Sequence, residues 1–108
     1  MKVEEKSGKL IVKKRNKIIL VNLNEIVYIE RTGTNSVINT FVEEIPINIT
    51  LKELENLLSE DFVRVHRSFI VNKLLLKELN TLNENTYEAV FSEEKTALVN
   101  RKLINLIW

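Results

Sequence analysis

The chain has 108 residues with 16 Lys and Arg against 15 Asp and Glu, a net charge of +1, so its length favours one small domain. Because 44% of the residues are apolar and only 2 are Gly and 1 is Pro, the composition can build a hydrophobic core and is not that of a disordered chain. The absence of Cys excludes disulfides and thiolate metal sites, and without a signal peptide or a membrane-length apolar run we expect a cytoplasmic protein with no membrane partner.

The first half of the chain reads mostly as strands. Residues 1–9 are polar and are interpreted as an N-terminal tail or linker remnant, which leaves the domain at residues 10–108. The polar turn 13–17 predicts a hairpin, and the small polar residues 31–36 predict a loop centred on Gly33. Apolar, β-rich runs predict strands at residues 10–12, 18–21, 26–30, 37–42 and 45–49, the last an edge strand because it contains Pro46.

A helix is predicted at residues 50–58. Thr50 and Glu53 match a capping box, and the four leucines of the segment share one face. We expect this helix to support the core and to have no direct functional role.

The second half of the chain continues the strand pattern. Apolar runs predict strands at residues 62–66, 69–71, 74–79, 86–91 and 96–99, and Asn100 caps a second small helix at residues 101–107. About ten short strands and two small helices predict a mainly β protein, a β-rich sandwich supported by helices.

The residues give little support for catalysis. His66, Ser68 and Asp61 suggest a hydrolase triad only by composition, since side chains on one strand face point in parallel. A single His without Cys gives no metal-ligand set, and Gly8 and Gly33 are too few for a phosphate-binding loop. We therefore expect a protein that is not an enzyme and uses no cofactor and no metal.

Charges are sorted along the chain. Acid-free basic stretches occur at residues 6–24, 62–77 and 95–108, whereas residues 43–61 carry six acids against the single base Lys52. If the basic stretches converge on one face, they present a positive field to an anion, and duplex nucleic acid is a common large anion in a cytoplasm. The alternative interpretation is that these charges only solvate the surface.

Four segments together resemble one protein family. Residues 62–72, FVRVHRSFIVN, resemble the signature of the LytTR (LytR/AgrA-type) DNA-binding domain. The segments EIVYIE at 25–30, TLKELE at 50–55 and ALVNRK at 97–102 resemble its flanking motifs, in the order and at the distances the family has. The resemblance covers residues 10–107, nearly the whole chain.

The resemblance implies a fold and a function. Members of this family fold as a three-sheet β sandwich of about ten strands and read successive major grooves with loops. The implied function is sequence-specific binding of double-stranded DNA, as the effector domain of a bacterial transcription regulator of the two-component response-regulator type. The implied partners are direct-repeat promoter sites, an upstream receiver domain with its sensor kinase, both absent from this chain, and a second copy in a weak or DNA-templated homodimer.

The resemblance also assigns contact residues by position. Predicted base contacts are Asn35, Ser36, Arg67, Asn100 and Arg101. Predicted DNA-backbone contacts are Arg31, Thr34, Arg64, His66, Ser68, Lys73 and Lys102, with the 13–17 hairpin as a further phosphate contact. Arg and Asn side chains suit this role because they form bidentate hydrogen bonds to guanine and adenine.

Plainer structural roles stay open for several of these residues. His66 and Asn72 are also explained by hydrogen bonds to backbone in turns, Arg101 by a surface charge on the last helix, and Asn100 by helix capping, which is compatible with facing DNA. Asn100 departs from the Ser that the family usually has there, and the turn 92–95 carries two glutamates that we expect on the side away from DNA. The alternative function is a protein-interaction or non-specific nucleic-acid-binding β domain.

Overall fold

The computed structural model describes residues 1–108 and confirms a mainly β fold. It contains eleven strands, one short α-helix and two 3₁₀ helices, at Leu23–Glu25 and Arg101–Leu106. The strands are β1 (Lys2–Lys6), β2 (Lys9–Lys13), β3 (Ile18–Asn22), β4 (Ile26–Thr32), β5 (Asn35–Thr40), β6 (Glu44–Ile47), β7 (Phe62–His66), β8 (Phe69–Asn72), β9 (Glu78–Thr81), β10 (Thr86–Val90) and β11 (Thr96–Asn100), and the helix is α1 (Leu51–Glu55). None of the helices has the length and apolar character needed to span a lipid bilayer.

The strands form three sheets, as predicted. The first sheet has the order β1-β2-β3, the central sheet β6-β5-β4-β8-β7, and the third sheet β11-β10-β9. Every pair is antiparallel. β6, which contains Pro46, lies at the edge of the central sheet, where a missing N–H breaks no ladder.

The central sheet is covered on both faces because both faces of its strands are apolar. On one face, Ile29, Ile38 and Ile70 pack in a core with the first sheet and α1. On the other face, Tyr28 and Phe69 pack in a second core with the third sheet. Neighbouring residues of one strand thus enter different cores, and each fully buried aliphatic side chain stabilises the fold by about 1.5 to 3 kcal/mol.

The first strand was not expected from the sequence. Residues 2–6, placed in the N-terminal tail, form β1, which pairs with β2 through a tight turn at Ser7 and Gly8. Val3 is the only side chain of β1 packed against the core, so the apolar alternation that identifies a strand is too short to detect. The boundary of the domain at residue 10 stays a prediction.

The two predicted helices are shorter or tighter than expected. Thr50 caps α1, its hydroxyl accepting from the Glu53 N–H at 3.2 Å, but the α-helix ends at Glu55 and not at residue 58. The Asn56 N–H bonds to the carbonyl of Glu53, a 3₁₀-type contact that tightens the last turn. The C-terminal segment is a 3₁₀ helix, and the strand expected at 74–79 lies at Glu78–Thr81 instead.

Candidate nucleic-acid interface

The β4–β5 turn is the first of the predicted contact loops. Only Gly33 and Thr34 connect the two strands, because Thr32 pairs with Asn35. Gly33 has a φ of 64°, the left-handed conformation that a residue without Cβ adopts at no steric cost. The predicted loop is therefore a two-residue hairpin turn with Thr34 and Asn35 exposed at its tip.

Ser36 does not reach this surface. Its side chain is fully buried, and its hydroxyl donates to the carbonyl of Ile49 at 2.8 Å. Successive side chains on a strand point to opposite faces, so the residue after Asn35 points into the protein. The predicted base contact from Ser36 is incompatible with this position.

The β7–β8 turn displays Arg67. His66 pairs with Phe69 across the turn, which leaves Arg67 and Ser68 as its two residues, and Arg67 is exposed. The Ser68 N–H donates to Nδ1 of His66 at 3.0 Å, so the neutral imidazole carries its proton on Nε2. Burial, with a smaller effect of the neighbouring Arg67 charge, lowers the pKa of His66 and favours this neutral form. The structural role considered for His66 is confirmed.

Arg64 braces the same turn from below. Its Nη2 donates to the carbonyl of Arg67 at 2.7 Å, and its Nη1 lies 3.3 Å from the Glu55 carboxylate on α1. These contacts hold the backbone of the turn against α1. They also satisfy part of the guanidinium, so Arg64 has fewer free donors for a ligand than Arg67.

The two turns are linked through the end of β4, and a cleft lies beside the β4–β5 turn. The Arg31 N–H donates to the carbonyl of Ser68 at 2.8 Å, which links the end of β4 to the β7–β8 turn. A cleft of about 250 Å³ lies between the β4–β5 turn and the start of α1. It is lined by Arg31, Gly33, Thr34, Thr50, Leu51, Lys52 and Arg64.

Lys52 is a cation of this cleft that the sequence analysis missed. It was assigned to a supporting helix, yet Lys52 is exposed and lines the cleft beside the β4–β5 turn. One feature of the sequence could have identified Lys52: it is the only basic residue in the segment 43–61, which contains six acidic residues.

The third group of predicted contacts lies where β11 ends. The Asn100 side chain accepts from the Lys102 N–H at 3.0 Å and so caps the final 3₁₀ helix, as expected. The Arg101 guanidinium lies 5.0 Å from the centre of the Tyr87 ring, a cation–π contact that orients it. Asn100, Arg101 and Lys102 are all exposed, and Ile104 of the same helix packs in the second core.

Lys73 lies apart from the other candidates. It follows β8 at the end away from Ser68, about 16 Å along an extended strand, and its N–H donates to the carbonyl of Asp61. Asn72 beside it is buried and donates to the carbonyl of Ile26 at 2.9 Å, which confirms its structural role. The structure therefore does not bring Lys73 together with the two turns.

Two more turns lie around the central sheet. The tip of the β2–β3 hairpin lies beside β6, with Lys14 Nζ 3.4 Å from the carbonyl of Pro46. The glutamate-containing turn 92–95 lies elsewhere, because Lys95 Nζ donates to Asn39 Oδ1 at 3.0 Å. Asn39 is about 13 Å along β5 from Asn35, so this turn is remote from the β4–β5 tip.

Comparisons with known proteins identify relatives over nearly the whole chain. Residues 16–107 match the family model described as LytTr DNA-binding domain. The chain is 28% identical over 101 residues to the transcriptional regulatory protein NatR of Bacillus subtilis, covering 92% of this chain and 43% of NatR. It is 34% identical over 100 residues to the sensory transduction protein LytT of Oceanobacillus iheyensis, covering 89% of this chain and 41% of LytT.

A solved structure has the same fold. A LytTr DNA-binding domain from Bacillus cereus superposes with a TM-score of 0.78 at 24% sequence identity, covering 93% of both chains. The chain thus spans about two fifths of the curated relatives it matches, and 93% of one solved domain.

Proposed function

Because the chain belongs to the LytTr DNA-binding domain family, we propose that it binds double-stranded DNA sequence-specifically through the exposed turns described above. The observation that carries this proposal is the pair of hydrogen-bonded turns, which presents Arg67 and Asn35 on one end of the central sheet. A side chain on a braced turn loses less conformational freedom on binding than one on a mobile loop.

Base reading is assigned to four exposed residues. Arg67 and Arg101 offer forked donors that match O6 and N7 of guanine, and Asn35 and Asn100 offer a donor and an acceptor that match adenine. Each such bidentate pair contributes about 1 to 3 kcal/mol of discrimination against a wrong base. The two turns contact one major groove and the edge of that groove. The start of the final 3₁₀ helix contacts the next major groove.

Contacts to the sugar-phosphate backbone are assigned to the residues around these readers. Arg31, Thr34 and Lys52 line the cleft beside the β4–β5 turn. Lys102 directly follows Asn100 and Arg101, which are proposed to contact bases. Arg64 and His66 act mainly by holding the turn that carries Arg67, because the Arg64 guanidinium donates to the Arg67 carbonyl and Nδ1 of His66 accepts the Ser68 N–H. The Ser68 hydroxyl is assigned a DNA-backbone contact. Such contacts set the position of the domain on the duplex and carry no sequence information.

In the cell, this domain is proposed to act as the effector of a bacterial transcription regulator in the cytoplasm. The curated relatives extend well beyond the matched segment, which leaves room for a further domain. We propose that this domain is an upstream receiver that a sensor kinase controls. Two copies would bind adjacent direct repeats of a promoter, with the domain itself contributing a weak or DNA-templated contact and no reaction of its own.

Selection of bound duplexes from a random-sequence pool, near physiological salt, tests this function. We expect the wild type to enrich a spaced repeat, and the Arg67→Ala variant to lose the preference at about one base pair of each half-site while the others persist. Each lost contact weakens binding by about 1 to 3 kcal/mol.

The matched control is Lys73→Ala, since this cation lies at the other end of β8. It should enrich the same motif as the wild type with the same sharpness. If the wild type enriches no motif, sequence-specific binding is rejected; if Arg67→Ala enriches an unchanged motif, base reading by Arg67 is rejected.

A further inference from the structure

The first sheet carries a charge opposite to that of the remaining chain. Residues 1–22, which form β1, β2 and β3, contain seven Lys and Arg against two glutamates. The remaining residues contain nine Lys and Arg against thirteen acids. The near-neutral whole is therefore a strongly basic sheet attached to an acidic body.

The outer face of this sheet is also apolar in its middle. Ile18 and Leu20 of β3 are each 61% exposed, and both point outward because Ile19 and Val21 between and after them pack inward. Leu20 pairs with Ile11 of β2, which belongs to the same outer face. These three residues, Ile11, Ile18 and Leu20, form the outer apolar strip.

Lysines surround the outer apolar strip. Lys13 pairs with Ile18, and Lys9 pairs with Asn22 at the other end of β3, so a cation flanks each end of the strip. Lys17 directly precedes Ile18. The one acid on this face, Glu4, is 2.8 Å from Lys13 Nζ, and this ion pair lowers the pKa of Glu4.

One side of β3 is open. β3 is the edge strand of the sheet, and no backbone hydrogen bond joins it to any element except β2. An edge strand with free N–H and C=O groups is a template for an added strand. The five residues of β3 match the usual length of such an addition.

We propose that the open edge of β3 binds an extended protein segment with aliphatic residues in its centre and acidic residues at both ends. The segment adds as a fourth strand of the first sheet. Its central side chains cover the outer apolar strip, and its terminal carboxylates reach the lysines that flank the strip.

The features of this edge favour an acidic protein over the other occupants. The phosphates of a DNA duplex would pair with the lysines. They have no apolar surface that would be stabilised by contact with Ile18 and Leu20. A second copy would bring its own seven cations to the same place, and like charges brought together without compensation oppose association. An acidic, aliphatic strand satisfies the backbone edge, the apolar strip and the charges together.

A capped synthetic peptide tests the proposal, with Val-Thr-Ile-Thr-Val as its centre and a pair of glutamates at each end. Titration into the isotopically labelled chain should shift the amide NMR signals of Ile18–Asn22 and leave those of the β7–β8 turn unchanged. Raising the salt concentration should weaken binding, since exposed charges contribute to it. The same peptide with lysines in place of the glutamates should not bind.

Matched variants separate the outer apolar strip from general effects. The double variant Ile18→Thr and Leu20→Thr places β-branched residues, which strands favour, at both positions, and should weaken binding of the glutamate peptide by about tenfold or more. Leu82→Thr, which truncates another exposed leucine in the connection between β9 and β10, should leave it unchanged.

Four outcomes would overturn the proposal. They are the absence of binding, equal binding of both peptides, self-association of the chain that the double variant removes, and loss of duplex affinity in the double variant. The third outcome would make the edge an interface between copies, and the fourth would make it part of the DNA surface. Because the double variant leaves every proposed DNA contact in place, failure of the peptide test does not affect the proposed function.

Discussion

At the scale of single residues, His66 connects the stability of the fold with the presentation of Arg67. Its Nδ1 accepts the Ser68 N–H, so protonation of Nδ1 would break the hydrogen bond that shapes the turn. The pKa of His66 is lowered, mainly by burial, which also shows that the folded protein disfavours the protonated imidazolium form.

This shift predicts that the fold loses stability as the pH falls below about 6.5, the ordinary His pKa. Between that value and the lower pKa of the folded state, the unfolded chain binds more protons, so the free energy of unfolding decreases with falling pH. Above about 6.5 both states are neutral at this residue and its contribution is fully present. Urea unfolding at a series of pH values from about 7 to about 5.5 measures the slope.

The control is His66→Asn, because an Asn oxygen accepts a backbone N–H two residues ahead and does not titrate. The variant should show a flatter dependence of unfolding free energy on pH over the same window. Identical slopes for wild type and variant would show that other groups produce the dependence.

The role of a residue could be predicted from the sequence where the sequence motif also indicated whether its side chain is exposed. Arg67 is exposed in a two-residue turn, and Asn35 is exposed at the start of β5 directly after such a turn. Ser36 was wrongly expected at the surface because the predicted loop extended too far; β5, whose alternation buries Ser36, begins at Asn35, two residues before the predicted start at residue 37. Lys52 was missed because its contacts are set by the packing of α1 against distant strands.

At the scale of elements, the junction of β11 and the final 3₁₀ helix combines two roles in Asn100. The side-chain oxygen caps the helix by accepting from the Lys102 N–H, while the same exposed side chain is a proposed reader of bases. A variant that preserves the cap and changes the groups offered to DNA separates these roles.

Asn100→Asp is that variant. Asp caps a helix as well as Asn does, so the unfolding free energy should stay within about 0.5 kcal/mol of the wild type. Duplex binding should fall strongly, because the carboxylate has no donor for adenine and repels phosphates. Thermal unfolding and duplex titration measure the two effects.

Asn100→Ala gives the complementary result and serves as the control. It should cost about 1 kcal/mol of stability through loss of the cap, and should weaken duplex binding less than the Asp variant does. If the Asp variant binds DNA like the wild type, Asn100 is a cap only.

Elements could be predicted where apolar periodicity was long, and failed where it was short. The central strands were predicted because their residues form apolar, β-rich runs, and the edge position of β6 because it contains Pro46. β1 was missed because one inward valine is no periodicity, and α1 was predicted too long because Leu58 packs against the first core from a tighter turn. Tertiary contacts decide such ends, and a single sequence does not show them.

At the scale of the whole molecule, the arrangement of charge matters more than the total. A net charge of +1 gives no long-range attraction to DNA, so binding depends on cations collected at particular surfaces. Arg31, Lys52 and Arg67 lie around the two joined turns, whereas the glutamates of the 92–95 turn lie near the other end of β5. The domain can therefore approach a duplex productively in few orientations.

This arrangement predicts how binding depends on salt. Each cation that neutralises a phosphate contributes about 0.9 to the slope of log affinity against log salt concentration, whichever sequence is bound. Arg31→Gln should therefore reduce that slope by about 0.9 and weaken selected and unrelated duplexes alike. Arg67→Gln should instead weaken the selected duplex far more than the unrelated one, because it removes a base contact.

Lys73→Gln, at the remote end of β8, is the control and should change neither the salt slope nor the affinity for either duplex. Titrations of both duplexes over a range of salt concentrations measure these effects. If Lys73→Gln lowers the salt slope as much as Arg31→Gln does, the charge of the whole chain attracts the duplex, and not the surface around the two turns.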